Sequence, residues 1–437
     1  MLTLLAYALI ATFMALIMTK RLSVLTALVL VPVVFALVAG FGESIGPMML
    51  DGVRAIAPTG VMLMFAILYF SLMIDAGLFD PVVARVVRLV GGDPVRITVG
   101  TAVLALLVSL DGDGSTTYLI TTAALLPLYR RLGMSRLMLA GIVMLAGGVM
   151  NILPWGGPTA RAAAALKVDV AELFVPMIPA MVFGSAWVIF VAWVFGRRER
   201  RRLGVLGADA LRDLHASALN RQEYEREQGV RRPRLLWFNL LLTVALMTCL
   251  MLGVLPLSIL FMIAAALALV VNYPRIDDQK ERIAANAGNV LAVVAVIFAA
   301  GVFTGILSGT RMIEAMAQSV VDIVPPALGP YLAVITAVLS VPFTFFISND
   351  AFYYGVVPIL SQAASAYGIT AAELGRASLV GQPVHLLSPL VPSTYLLVGL
   401  CGVELGDHQR FTLKWALVTS LVLLAVGLAT AVIPWSH

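Results

Sequence analysis

Asp111-Gly-Asp-Gly-Ser-Thr-Thr117 interrupts an apolar stretch that runs from Ile97 to Leu128, and Ser348-Asn-Asp350 interrupts a second, from Tyr331 to Leu360. Carboxylates and hydroxyls are costly at membrane depth, so two such runs mark an ion or substrate pathway. The composition shows that the surroundings are membrane. Of 437 residues, 61% are hydrophobic and 12% charged, against roughly 45–50% and about 25% in soluble domains. Mean hydropathy is +0.99.

A bilayer span needs about 20 mostly apolar residues. Candidates are Leu2 to Met18, Ser23 to Val38, Val61 to Ile74, Phe174 to Phe195, Leu235 to Leu252, Pro256 to Val271, Ala284 to Leu307 and Phe411 to Ile433. Backbone groups cannot go unpaired in lipid, so these are helices. They lack the residue-by-residue alternation of barrel strands. The expected fold class is an all-α polytopic membrane protein forming one membrane domain.

The net charge is +5, and the arginines between Arg197 and Arg234 account for that surplus. Beside a span, the positive-inside rule explains such a cluster better than nucleic-acid binding does. Ala208 to Gln228 is read as a helix lying on anionic lipid, or else as a simple linker. Cys249 and Cys401 are the only cysteines, which excludes a disulfide framework. No basic region precedes Leu2 to Met18, and Lys20-Arg21 follows it, so the expected N-terminus is an uncleaved span that starts outside. No P-loop is present, which argues against direct ATP drive.

Placing basic loops in the cytoplasm threads the chain. Lys20-Arg21 is inside, Gly40 to Gly60 outside, and Arg85, Arg88 and Arg96 inside on an amphipathic connector. Arg130, Arg131 and Arg136 follow the first polar run at once, so both ends of Ile97 to Leu128 face the cytoplasm. Each arm is about a dozen residues, too short to cross. The economical fold is a re-entrant hairpin with the polar run at its tip. Leu137 to Leu166 then leaves the cytoplasm, broken midway by Asn151-Ile-Leu-Pro-Trp-Gly-Gly-Pro158, whose prolines and glycines open the helix.

The second half repeats this plan at an offset of roughly 235 residues. Phe298-Ala-Ala-Gly-Val-Phe303 matches Phe65-Ala-Ile-Leu-Tyr-Phe70, Ser348-Asn-Asp350 matches the first tip, and His385 to Ser393 matches Asn151 to Thr159. Each half has five crossings, so the halves, residues 1–196 and 235–437, are inverted copies joined by the cytoplasmic linker 197–234. The second tip then enters from outside, and the C-terminus is outside.

Hairpin tips and broken helices offer free carbonyls to cations and helix N-termini to anions. Asp111, Asp113 and Asp350 must be neutralised by a proton, a metal or a basic partner, because each ionised carboxylate costs at least about 2.5–3.5 kcal/mol in hydrocarbon. Asp111 and Asp113, two apart on a glycine-rich turn, can aim at one hard cation. The alternative is that one of them caps the following helix. Arg161 has a planar fork suited to a carboxylate, and pairing with a nearby aspartate or snorkelling is the other reading. His385 is read either as a proton acceptor or as a neutral hydrogen-bonding group. Thr116, Thr117, Asn151, Thr159, Ser388 and Ser393 are candidate ligands. Asp75 and Glu404 read as boundary residues.

Ser109-Leu-Asp-Gly-Asp-Gly-Ser-Thr-Thr-Tyr118, Asn151-Ile-Leu-Pro-Trp-Gly-Gly-Pro-Thr-Ala-Arg161 and Ile347-Ser-Asn-Asp-Ala-Phe-Tyr-Tyr354 resemble the CitMHS family of citrate-metal:proton symporters, within the ion transporter superfamily. The resemblance covers essentially the whole chain. It implies an elevator-type homodimer with a scaffold of about residues 1–60 and 235–283 and a transport part of about 61–196 and 284–437. It implies citrate or a similar polycarboxylate carried with Mg2+ or Ca2+ as part of the substrate, protons as the coupling ion, and no permanently bound cofactor. Related symporters carry Ser-Asn-Thr at both tips. Here Ser348-Asn349 keeps that pattern while Asp350 and the first tip depart from it, which speaks against sodium coupling. By the resemblance, Ser115, Thr116, Thr117, Ser348 and Asn349 at the tips, with Asn151, Gly156, Gly157, Thr159, Arg161, His385, Ser388 and Ser393 at the breaks, bind substrate. Asp111, Asp113 and Asp350 serve the metal or proton.

Competing readings are a sodium- or proton-coupled carboxylate symporter without metal, an ion exchanger, and an intramembrane hydrolase using Asp113 and Asp350. An exchanger has no use for Arg161 as an anion clamp. Matched breaks in two halves serve no catalytic purpose, so the chain reads as a transporter and not an enzyme.

Overall fold

The computed structural model describes residues 2–19, 21–90, 92–112, 114–204, 230–252, 254–323 and 325–436; Asp113 and the whole of Ala208 to Gln228 lie outside these. Among the described residues every regular element is helical. Seven helices among the described residues are long and apolar enough to cross a membrane, and four shorter ones are apolar.

The first half runs α1 (Leu2–Met18), α2 (Val24–Val38), α3 (Ile45–Asp75), the amphipathic α4 (Asp80–Val90), α5 (Pro94–Val108), α6 (Gly114–Arg131), α7 (Arg136–Met150), α8 (Gly157–Leu166) and α9 (Val170–Leu203). The second runs α10 (Leu236–Met251), α11 (Leu257–Asn272), α12 (Ile276–Gly309), α13 (Met312–Ile323), α14 (Leu332–Phe346), a π-helical turn at Ala351–Val356, α15 (Val357–Ser365), α16 (Ala371–Ser378), α17 (Gln382–His385), α18 (Pro392–Cys401) and α19 (Leu405–Ala429). Boundaries recur at an offset of about 235: α8 and α18 start at 157 and 392, α9 and α19 at 170 and 405.

Gly40 to Gly60 is not an external loop. Helix α3 already begins at Ile45, so the span expected from Val61 is the second half of a 31-residue helix. Three glycines and Pro58 lie within this helix, and membrane helices tolerate both where neighbours cover the backbone. Gly52 serves a helix crossing. A Cβ there would lie 2.0 Å from the Gly301 carbonyl oxygen and 2.7 Å from Gly305 Cα, so α3 and α12 touch backbone to backbone. Gly301 and Gly305, four apart, form the small-residue face that such a crossing needs. Asp51 and Arg54 pair with each other on the exposed side. Unit boundaries at residues 60 and 283 therefore fall inside continuous helices, α3 and α12.

Helices α5 and α6 form the first hairpin, and its two ends meet the same end of α9. Arg200 is 3.7 Å from Asp93, and the Arg202 Nη2 group donates to the Gly133 carbonyl at 2.6 Å. In the second hairpin, Gly329 before α14 lies against the Tyr367 ring just after α15, so its ends also sit together. The segment that follows it meets the opposite end of α9, where Arg376 donates to the Glu172 carbonyl at 3.0 Å.

Candidate functional site

The two interrupted helices are closed by equivalent threonines. After α7 stops at Met150 the backbone leaves helical order until α8, and the Thr159 hydroxyl donates back to the Ile152 carbonyl at 2.9 Å and the Asn151 carbonyl at 3.4 Å. In the second break the Thr394 hydroxyl donates to the Leu386 carbonyl. The Gln409 carboxamide donates to Leu387 O at 2.8 Å and the Tyr395 hydroxyl to Pro389 O at 2.9 Å. Carbonyls freed by the breaks thus find partners without water or lipid. Thr394 was missed in the sequence; the 235-residue offset from Thr159 was the signal for it.

The first tip packs on the first break. The Trp155 indole donates to Leu110 O at 2.8 Å. Gly112 adopts φ +79°, and a Cβ there would come within 2.6 Å of the Trp155 ring, so the turn needs glycine on both counts. Trp155 also packs against Phe70 of α3 and Phe261 of α11, with ring centroids at 4.9 and 5.2 Å.

A cavity of about 510 Å³ opens between these elements. Asp111, Gly112, Ser115 and Thr116 line it from the tip, Trp155, Gly157 and Arg161 from the broken helix, and Ile67, Phe70, Ser71 and Ile74 from α3. A smaller cavity of about 90 Å³ is lined by Ser109, Tyr118, Asn151 and Ser393 among others. The Ser109 hydroxyl and that of the nearby Thr117 are buried without a hydrogen-bond partner.

Arg161 joins the two halves. Its Nε donates to Asp350 Oδ1 at 2.6 Å, with the side chains 23% and 15% exposed. Of the two sequence readings of Arg161, the carboxylate partner present is therefore an aspartate of the second tip. Asn349 reaches the first break through a residue the sequence did not suggest, Gln382, whose Oε1 accepts from both Asn349 Nδ2 (3.5 Å) and Asn151 Nδ2 (3.4 Å). No short motif marks Gln382, because its partners lie in both halves.

The remaining candidates have local roles. Ser348 Oγ accepts from Ala351 N at 3.2 Å, and Ser388 Oγ from Leu390 N at 3.2 Å. Gly156 stands at the N-cap of α8. His385 ends α17 and so aligns with Met150, one residue before Asn151, its expected counterpart. Its Nδ1 lies 2.7 Å from Thr344 O, and because a carbonyl only accepts, that nitrogen carries the hydrogen. Among the described residues no group of three His, Cys, Asp or Glu side chains could hold a metal ion.

Known proteins resemble this chain in sequence and in fold. The CitMHS family model, described as "Citrate transporter", matches residues 13–381. A Bacillus subtilis (strain 168) protein named "Citrate transporter" is 60% identical over 99% of this chain and 100% of its own length. A second protein of that organism, "Mg(2+)/citrate complex secondary transporter", is 55% identical over 98% of each chain. Among solved structures, the YdaH transporter of Alcanivorax borkumensis aligns with a TM-score of 0.59 at 14% identity, covering 98% of both chains, which is a likeness of fold.

Proposed function

Because the chain belongs to the CitMHS family of citrate transporters, we propose that it imports citrate as a complex with Mg2+ or Ca2+, together with protons, by secondary active transport. It is a multi-pass membrane protein and not an enzyme. The observation that carries the reading is the Arg161–Asp350 pair beside a cavity lined by Asp111, Ser115 and Thr116.

Citrate complexed with a divalent cation carries less charge than the free trianion and is cheaper to desolvate. Arg161 is the natural partner for a citrate carboxylate, and in this structure Asp350 holds it. Substrate carboxylate and Asp350 therefore compete for one guanidinium. A proton on Asp350 removes the competitor, so proton uptake and substrate binding assist each other. Asp111 lines the cavity, where the cation of the complex would face its carboxylate oxygens.

The matching boundaries of the two halves, and the docking of their hairpin segments at opposite ends of α9, support inverted repeats. With the arginine-rich 197–234 in the cytoplasm and both termini outside, Ile67 to Ile74 lies at the cytoplasmic end of α3 and the larger cavity opens inward. The fixed scaffold is then α1–α3 with α10–α12, whose exposed apolar faces suit a homodimer, and the rest moves as an elevator.

The smaller cavity supports a second reading of the coupling ion, since its unpartnered Ser109 hydroxyl and Asn151 suit a sodium ion as well as water. Uptake of labelled citrate into proteoliposomes separates the readings. Metal-citrate symport requires uptake that rises with Mg2+ or Ca2+ and with an inward proton gradient; dependence on sodium with indifference to divalent metal selects the second.

A further inference from the structure

Gln382 is fully buried and forms four hydrogen bonds that together leave its carboxamide one orientation. The Tyr353 hydroxyl donates its only hydrogen to Ser378 O at 3.3 Å, so towards Gln382 it can only accept. The group facing it, at 2.9 Å, must be Gln382 Nε2, which also donates to Asn349 Oδ1 at 3.3 Å. Oε1 then points the other way and accepts from Asn151 and Asn349.

This fixes two further amides. Asn151 spends an N–H on Gln382 and keeps its carbonyl oxygen as an acceptor beside the smaller cavity. Asn349 spends its oxygen and one N–H on Gln382 and keeps its second N–H as a donor. We propose that Gln382 is the positioning residue that decides which atom each asparagine offers to substrate: an acceptor from Asn151 for a hydroxyl or cation, and a donor from Asn349 for a carboxylate. It acts from the second half on the first break and the second tip at once, so the two must be in register for the offer to be made. The inference rests on the reading of this site as the citrate site.

The test is titration calorimetry of the purified full-length protein with Mg2+-citrate. Gln382→Leu is expected to weaken binding at least about tenfold, and Tyr353→Phe, which keeps the ring but frees the carboxamide to flip, by about threefold or more. In an Asn151→Ala/Asn349→Ala background neither change should weaken binding further, because the residues act as a unit. Parental affinity in both single variants, or losses that simply add to the asparagine substitutions, overturns the proposal. If the parent protein binds no Mg2+-citrate, the citrate reading fails by itself. The positioning claim is then decided by a side-chain-resolution density map of Gln382→Leu: an Asn151 or Asn349 side chain displaced from its parental place supports it, and both unmoved overturn it.

Discussion

Arg161 Nε meets Asp350 Oδ1 at 2.6 Å although 189 residues separate them, one in the half-helix after the first break and the other at the second hairpin tip. In a pair that spans both halves and borders the cavity, a proton on Asp350 or a competing anion on Arg161 would free the other partner. Asp350→Asn imitates the protonated state. Asp350→Asn should bind Mg2+-citrate more tightly than the parent and take up citrate without regard to the proton gradient. Arg161→Ala should lose about 2–5 kcal/mol of substrate affinity. Arg161→Lys should recover only part, since an ammonium lacks the planar fork. Uptake by Asp350→Asn that still follows the proton gradient refutes the competition.

Trp155 ties the first tip to the first break by one hydrogen bond and to α3 and α11 by its rings. Trp155→Phe keeps most of the ring contact and leaves the Leu110 carbonyl without its donor, which costs about 1–3 kcal/mol. Its expected signature is a raised KM for citrate with expression near parental. Gly112→Ala meets both a positive φ and the indole, and should abolish uptake. Parental uptake by Gly112→Ala would show that the tip does not depend on this turn.

What the sequence revealed and what it hid divide along a physical line. Apolar length, the polar tips and the Pro-Gly breaks are local signals, and the helix boundaries follow them. The first half of helix α3 was not expected as helix, because what Gly52 does there depends on the close approach of Gly301 and Gly305, which the sequence does not show. At the site, Asp350 and Arg161 were legible as charges that need partners, but not as each other's partner. Gln382 and Trp155 were illegible as site residues, since an amide or indole acquires its role from groups that folding brings near.

The α3–α12 crossing has no room for a side chain. Gly305→Val would press two methyl groups towards the Met48 carbonyl and the Gly52 backbone, where even a Cβ would come within 2.3 Å. Overpacking of this kind costs about 1–3 kcal/mol, and more where backbone is the obstacle. The expected outcome is a melting midpoint in detergent several degrees below that of the parent. Gly288→Ala, on the same helix but with nothing within 4 Å of its added Cβ, should melt like the parent. Equal melting of the Gly305 and Gly288 variants would show that the helices do not cross at this point.

Thr159 and Thr394 provide the sharpest check on the correspondence of the two halves. Each sits three residues into the half-helix that restarts after a break, and each hydroxyl reaches a carbonyl eight residues back. Valine is nearly the same size and cannot donate, so Thr159→Val and Thr394→Val each strand a buried carbonyl at about 1–3 kcal/mol. The bonds hold the breaks open in a defined shape, so binding should suffer as well as stability. Thr159→Val is expected to weaken Mg2+-citrate binding more, because its break carries Asn151 and leads directly into Arg161, whereas the Thr394 break also relies on Gln409 and Tyr395. Thr159→Ser should restore both properties, since the hydroxyl returns. If both valine variants melt and bind like the parent, the threonines do not close the breaks, and the structural equivalence of the two halves loses its strongest local support.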